Sequence, residues 1–462
     1  MHEVISVSVG HRCNHLSTQF FNCQEKKLYD AQRSRDNDFS VHLNPSVDKL
    51  NQTVSFAPRA LIWESKGGNG SLGTYQYAQP EDHFYSDDTK EGSNENVMLT
   101  SSKVPRSEYQ EALDKNGSMP VPQLNNEMAK YWSDYSRLIY EPTTFNNLKD
   151  WHHDLSNSNL PDFKGLNVHK FDSYELGVQE FDDNYLQEFF DGNLHKQLEQ
   201  CDTLQGFNLM SSLDSAWSGF SSAMLLELRN ELPKTTIFAW NYYKGELKGL
   251  NRTLLPHWER QMKSSVVCNE EADLVFPLRL DESLSDWEQA GQAVRVLDSV
   301  NSLFEQKGTK KQSMTHLQDC VGVSDQTRKF VSSIFENPDY NYSFFDDYPV
   351  FRNGHKDPHV FSECSIQRGS NTNSKPNLRT LQTTEFLASD TVPPQFQSPH
   401  SFDLQLSSTE KSRDVFLHWR DVASKYLRSA LDGDELVDNL GTMAAAYEYG
   451  WYDDEDSGDD DF

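Results

Sequence analysis

LQGFNLMSSLDSAWSGF, residues 204–220, decides how the rest of the chain is read. It opens on a short apolar run at Leu204-Gln205-Gly206-Phe207 and passes through a tight turn. Beyond the turn, SSAMLLELRNELP (221–233) repeats its apolar residues at helical spacing. A strand, a tight turn and a helix N-terminus form the arrangement that binds nucleotide phosphates through free backbone N–H groups. Yet the turn carries Asp214, Ser215, Ala216, Trp217 and Ser218 where a phosphate cradle favours glycine. The stretch leaves two alternatives: a working nucleotide site, or a fold kept after its chemistry was lost.

Moving outward, TTIFAWNYY (235–243) is a β-rich run that follows the helix, so the order is strand, helix, strand, as in a parallel α/β sheet. Residues 2–9 read as a buried strand, and Gly10 turns the chain into a helical stretch, HRCNHLSTQFFNCQ (11–24). A further strand is expected at 60–63, followed by the glycine-rich loop SKGGNGSLGT (65–74). In such a sheet the strands at 3–9, 60–63, 205–213 and 235–240 lie side by side, with Gly10 and Ser215 at the same rim. Helices are also expected from 131 towards Pro142, over 183–200, over 283–306 and over 409–431. Residues 79–127 read as a polar, partly disordered insertion and 365–403 as a polar loop with one strand. These shifts divide the chain into 1–245, 246–432 and a terminal segment, 433–462. The last ends in YGWYDDEDSGDDDF, an acidic tail expected to stay solvated.

Composition narrows the partners. Lysine and arginine total 42 against 71 acids, a net charge of −29, which argues against direct contact with nucleic acid backbones or anionic lipid. A hydrophobic content of 36% and a mean hydropathy of −0.74 point to polar insertions around a folded body. The six cysteines are scattered, with no CxxC, which suits a reducing compartment. No apolar run reaches the ~18–20 residues of a membrane span. The N-terminus is not Arg-rich and carries Glu3, unlike a mitochondrial presequence, so any organelle is expected to be reached from the cytosol.

Particular stretches then carry a resemblance. MHEVISVSVGHRCNHLSTQFF resembles the tubulin N-terminus, and LQGFNLMSSLDSAWSGFSSAMLLELRNELP resembles the tubulin segment in which LQGF leads through a glycine-rich turn into a helix. PRALIWESKGGNGSLGTYQY (58–77), YWSDYSRLIYEP (131–142), CDTLQGF (201–207) and FPLRLDESLSDWEQA (276–290) resemble the Misato family of tubulin-like proteins, in its fungal form. The likeness covers most of residues 1–310. It implies an α/β fold built on a tubulin-like parallel sheet with flanking helices, plus a C-terminal α+β part. It also implies a role in the partitioning of mitochondria and in mitochondrial DNA inheritance, at the mitochondrial periphery and in the cytoplasm. The implied partners are cytoskeletal or mitochondrial-surface proteins, tubulin and chaperonin among them. The alternatives are a GTP-binding, polymerising GTPase and an adaptor assisting tubulin or cytoskeletal assembly.

Against that family pattern the chemistry looks degenerate. The tubulin turn Gly-Gly-Gly-Thr-Gly-Ser-Gly, laid on this chain without gaps, falls on Asp214 to Phe220, and all its glycine positions hold other residues. Trp217 would crowd phosphate and Asp214 would repel it, while Gly219 permits a shifted turn and Ser215 and Ser218 offer hydroxyl donors. Gly10 is kept and is followed by His11 and Arg12. Arg12 either meets a phosphate or pairs with a carboxylate. The candidate site is therefore Gly10, His11, Arg12, Ser215, Ser218 and Gly219, with no catalytic residue, no resident cofactor expected and GTP doubtful. The loop Lys66–Gly73 lacks the Gly-Lys-Ser/Thr ending of a P-loop. On a loose alignment the guanine-contacting asparagine becomes Ser299. His11 and His15, four residues apart with Cys13 nearby, lack a second cluster in the sequence to complete a zinc set, so no metal site is expected.

Overall fold

The run EVISVSV forms strand β1 (Glu3–Val9), and every residue in it is buried. Its alternation of branched apolar residues with serines does not mark a half-exposed strand. Ile5, Val7 and Val9 join one apolar cluster and Val4 joins another on the opposite face, so helices cover both sides. A computed structural model of the chain describes residues 3–30, 32–47, 54–72, 104–115, 120–154, 161–165, 169–213, 215–244, 254–322, 327–337, 340–346, 358–369, 379–428 and 432–449.

Strands β2 (Leu43–Val47) and β3 (Val54–Pro58) pair as a separate antiparallel ribbon. The main sheet adds to β1 the strands β4 (Ala60–Lys66), β5 (Phe145–His152), β6 (Phe163–Lys164), β7 (His169–Lys170), β8 (Leu204–Ser212), β9 (Thr236–Tyr243) and β10 (Leu274–Arg279). Their order is β10-β9-β8-β1-β4-β5-β6-β7. The six strands from β10 to β5 run parallel, and β6 and β7 close the edge antiparallel. The strands expected at 3–9, 60–63, 205–213 and 235–240 are thus neighbours in one parallel sheet. The sheet takes its other edge from β10, past residue 245.

The helices His11–Tyr29 and Asp286–Asn301 pack against one face. Tyr174–Asn184, Trp217–Glu231 and Leu255–Glu271 pack against the other. A second, mostly antiparallel sheet follows, from β11 (Ser333–Asn337), β12 (Tyr340–Asn341), β13 (Val360–Arg368), β14 (Arg379–Thr383) and β15 (Phe402–Thr409), in the order β12-β11-β15-β13-β14. Helices Lys411–Tyr426 and Gly433–Ala446 complete it. A buried ionic cluster ties the second sheet to the helices His11–Tyr29 and Asp286–Asn301 that cover the first. Lys27 Nζ lies 2.5 Å from Asp298 Oδ1 and 3.2 Å from Glu305 Oε2, and Arg368 Nη2 on β13 donates to Asp298 Oδ2 at 2.8 Å. The Lys27 and Arg368 cations hold the Asp298 carboxyl below its usual range, against a burial that would raise it.

Two expectations need correcting. Residues 131–145 form no helix. Two 3-10 turns, Trp132–Tyr135 and Pro142–Thr144, are joined by non-helical chain, and Tyr131 to Ser136 are all buried, so no solvent-facing side is left for an amphipathic helix. The helix over 183–200 is broken: Tyr174–Asn184 ends at Tyr185, and Phe189–Leu194 is wound as a π-helix before His195–Glu199. Of the 79–127 insertion, residues 104–115 and 120–127 are described. Ser107 caps the helix Glu108–Asp114, and Tyr109 is buried beside Tyr135 and Trp287. The 365–403 stretch holds the end of β13 and all of β14. Residues 79–103, 370–378 and the acidic tail from 450 lie outside the described residues.

Candidate functional site

Parallel strands end at a common rim, and the loops there are where α/β sheets place ligands. β1 ends at Gly10 and β8 ends in the turn before Trp217, so the two segments that a phosphate would bridge do meet. Gly10 has φ 87° and ψ 158°, a region essentially confined to glycine. That backbone turns β1 directly into the His11 helix. A methyl group on Gly10 would sit 3.1 Å from the indole ring of Trp217. The indole therefore lies over the glycine, in the space the two turns enclose. Its Nε1 donates to Asp162 Oδ2 at 2.9 Å, and its ring packs edge-on against Phe171 and Phe220.

Three backbone donors of the β8 turn, those of Ala216, Trp217 and Ser218, are already used. The N–H of Ala216 donates to Phe171 O at 3.3 Å, that of Trp217 to Ser215 Oγ at 3.4 Å, and that of Ser218 to Ser215 O at 3.1 Å. Ser218 Oγ also turns back, donating to Ser215 O at 2.7 Å. Of the two hydroxyls proposed as phosphate donors, that of Ser218 is thus turned inward, and that of Ser215 accepts the Trp217 N–H. Gly219 serves helix packing instead: a methyl there would fall 1.9 Å from Tyr174 O, and one on Gly177 would fall 1.8 Å from Ala216 O. The two glycines let the Tyr174 and Trp217 helices approach backbone to backbone. Asp214 lies outside the described residues.

Arg12 resolves its two readings towards the carboxylate. Its Nε donates to Asp286 Oδ1 at 2.8 Å and its Nη1 to Ser212 Oγ at 3.0 Å. Burial alone would raise the Asp286 carboxyl, but the Arg12 guanidinium holds it below its usual range. The glycine-rich loop is also folded inward. Gly68 lies against the Glu64 carboxylate and Gly70 against Tyr131 and Ser133, leaving no room for side chains, while Asn69 Nδ2 donates to Asn147 Oδ1 at 2.6 Å. Gly73 lies outside the described residues. Ser299, in the guanine-contacting position, is buried and donates to Arg295 O within its own helix.

His11 leads to residues that the sequence did not connect. Its Nδ1 lies 3.1 Å from Glu64 Oε2 at the end of β4, and its ring stacks on His153, just after β5, at 4.1 Å between centroids. Its Nε2 lies 3.3 Å from Lys130 O and 3.3 Å from His15 Nε2. His153 Nδ1 meets Asp162 Oδ1 at 3.0 Å, the same carboxylate that holds the Trp217 indole. Burial works against a charged His11, yet the Glu64 carboxylate overrides it and raises the imidazole to about 9. Burial, then the neighbouring His11, lowers His15 to about 3. His11 and His15 were legible as a helical pair, whereas Glu64 and His153 belong to other strands. Their only local signals were a carboxylate immediately before the glycine loop and the His152-His153 doublet.

Comparison with known proteins accords with this architecture. The family described as "Misato Segment II tubulin-like domain" matches residues 2–115, and the one described as "Tubulin domain" matches residues 121–303. "Protein DML1" of Kluyveromyces lactis is 41% identical over 475 residues, covering 99% of both chains. The protein of the same name in Eremothecium gossypii is 40% identical over 470 residues and covers both chains completely. The chain belongs to the Misato/DML1 family of tubulin-like proteins. A more distant member, from Yarrowia lipolytica, still aligns over the whole length of both chains at 28% identity. The family membership explains the sheet order and the helix placement. It does not restore the phosphate turn, which in this chain is filled by an indole and closed by its own hydrogen bonds. Among the described residues no helix is long and apolar enough to cross a membrane.

Proposed function

We propose that this protein is a non-catalytic tubulin-like protein that acts in the partitioning of mitochondria and the inheritance of mitochondrial DNA. On this reading it works through its folded body, at the mitochondrial periphery, which it reaches from the cytosol. The observation that carries the non-catalytic part is Trp217 lying over Gly10, with the N–H groups of Ala216, Trp217 and Ser218 already donating within the protein. A phosphate binds such a turn only through free N–H groups and close backbone approach. Three of those N–H groups are engaged here, an indole occupies the approach, and the Arg12 guanidinium is paired with Asp286, which supports the reading. The cellular part rests on the family resemblance, and the low basic content agrees with protein partners rather than nucleic acid.

The test is made in dividing host cells depleted of the protein, scored for mitochondrial distribution and for retention of mitochondrial DNA. Depletion should impair both. The full chain and a chain lacking residues 450–462 should each restore them. Gly206→Pro should not, because Gly206 lies in β8 with Thr236 O only 2.3 Å from where a Cβ would stand. Normal mitochondrial DNA retention after depletion would remove the cellular half of the proposal.

A further inference from the structure

We propose that His11, Glu64 and His153 form a site for one divalent transition-metal ion, with zinc the best match to the donors. A ring nitrogen of each histidine and a carboxylate oxygen of Glu64 all lie within 4.8 Å of one another, and all three residues are buried. Ligand atoms around tetrahedral zinc sit ~3.3 Å apart, given bonds of ~2.0–2.1 Å. The His11 to Glu64 distance of 3.1 Å is already of that order, and His153, whose ring now stacks on His11, must turn out of that stack to aim its nitrogen at the same point. Two imidazoles and one carboxylate leave a fourth position for water, a known zinc donor set. Magnesium and calcium prefer oxygen-only surroundings, and two imidazoles disfavour them.

The second observation is the shell outside these donors. Imidazoles that bind a metal nearly always engage a carboxylate or backbone carbonyl through their other nitrogen. His153 Nδ1 is held by Asp162 Oδ1 at 3.0 Å, which leaves Nε2 for an ion. His11 Nε2 lies 3.3 Å from Lys130 O, which leaves Nδ1, the nitrogen facing Glu64; an ion bound there displaces the proton that Nδ1 now shares with that carboxylate, so uptake releases a proton to solvent. Glu64 is held as well: its Oε1 accepts from the backbone N–H of Ser65 at 3.0 Å and its Oε2 from Asn14 Nδ2 at 3.0 Å. The three donors come from the start of the first helix, the end of β4 and the segment after β5. An ion there would fasten three loops of the rim that no phosphate bridges. Asp162 couples that clamp to Trp217.

The proposal does not depend on the cellular role or on nucleotide content, which are separate measurements. The full chain, prepared without a histidine tag and stripped with chelator, is dialysed against zinc chloride and its bound metal is counted. Cobalt(II) is used in parallel as a visible-absorption probe. Wild type should take up one zinc per chain and melt at a higher temperature with it. Cobalt should give tetrahedral d–d bands without a thiolate charge-transfer band. His153→Ala should lose the ion and the zinc-dependent thermal shift, and Glu64→Gln should weaken both. Cys320→Ser, a thiol 3.8 Å from His316 and remote in sequence from the trio, should leave them unchanged. Absence of bound zinc in wild type, equal uptake by His153→Ala, or a thiolate band abolished by Cys320→Ser would overturn the proposal. Should His153→Ala fail to fold, the wild-type stoichiometry and cobalt spectrum still decide.

Discussion

Replacing Gly10 by alanine puts a methyl group 3.1 Å from the Trp217 indole and forces an L-residue into φ 87°, ψ 158°. The backbone strain alone costs about 1–3 kcal/mol, and it is present whatever residue stands at 217. The ring contact is a separate contribution that exists only if the indole covers the glycine. Trp217→Ala by itself should cost about 3–5 kcal/mol, since it empties a buried site. It also leaves Asp162 without the indole N–H that lies 2.9 Å away. In the double variant the new methyl points into the space vacated by the ring. Its loss should therefore fall short of the sum of the two single losses by about 1 kcal/mol, within the range of residues in contact. Equilibrium urea unfolding of the four proteins, compared at equal slope, measures this directly. Additivity to within about 0.5 kcal/mol would mean that the two residues do not touch. The argument that the indole closes the cleft would then fail.

Gly219→Ala should destabilise by about 3 kcal/mol or more, because its methyl meets a backbone carbonyl 1.9 Å away and two helices must separate. The fall in melting temperature should be the same with and without GTP, whereas a phosphate-binding glycine would show a difference. Arg368→Met should cost about 3–5 kcal/mol by breaking the buried pair with Asp298. The folded Asp298 pKa lies below its unfolded value, so that carboxylate stabilises above the ordinary aspartate range and the contribution is lost on acidification. Wild type should accordingly lose stability more steeply than Arg368→Met as pH falls below about 5. Asp134 has the opposite sign: burial raises it to about 6, so its folded state holds the proton more tightly than the unfolded state. Lowering pH from above 6 to below 4 should raise wild-type stability relative to Asp134→Asn by about 3 kcal/mol, and a flat difference would contradict the assignment.

The central strands were legible because β1 and β9 are dense in β-branched and aromatic residues, β8 opens on a short apolar run, and helical periodicity flanks them. β5 was not, since FNNLKDWH is polar on one side and sits where the sheet turns antiparallel. β10 was obscured by Pro277 within LVFPLR, which the parallel ladder nonetheless accommodates. The aromatic stretch after 131 misled because aromatic content was read as helix, whereas those rings anchor irregular chain in the interior. At the site, sequence identified the loss of glycine and the obstruction by Trp217, both of which are local facts. It could not supply the partner of Arg12 on a helix beginning at Asp286, nor bring Glu64 and His153 to His11. Those meetings depend on strand order in the sheet, which no spacing along the chain records.

The most direct test of the closed cleft is the nucleotide content of protein purified from its native host under magnesium-containing, non-denaturing conditions. Acid extraction followed by ion-exchange chromatography would count GTP and GDP against protein. An indole over Gly10 and a turn in which the Ala216, Trp217 and Ser218 N–H groups are already bonded predict that neither nucleotide is retained. Stoichiometric GTP or GDP would contradict that account and establish that this rim still holds phosphate.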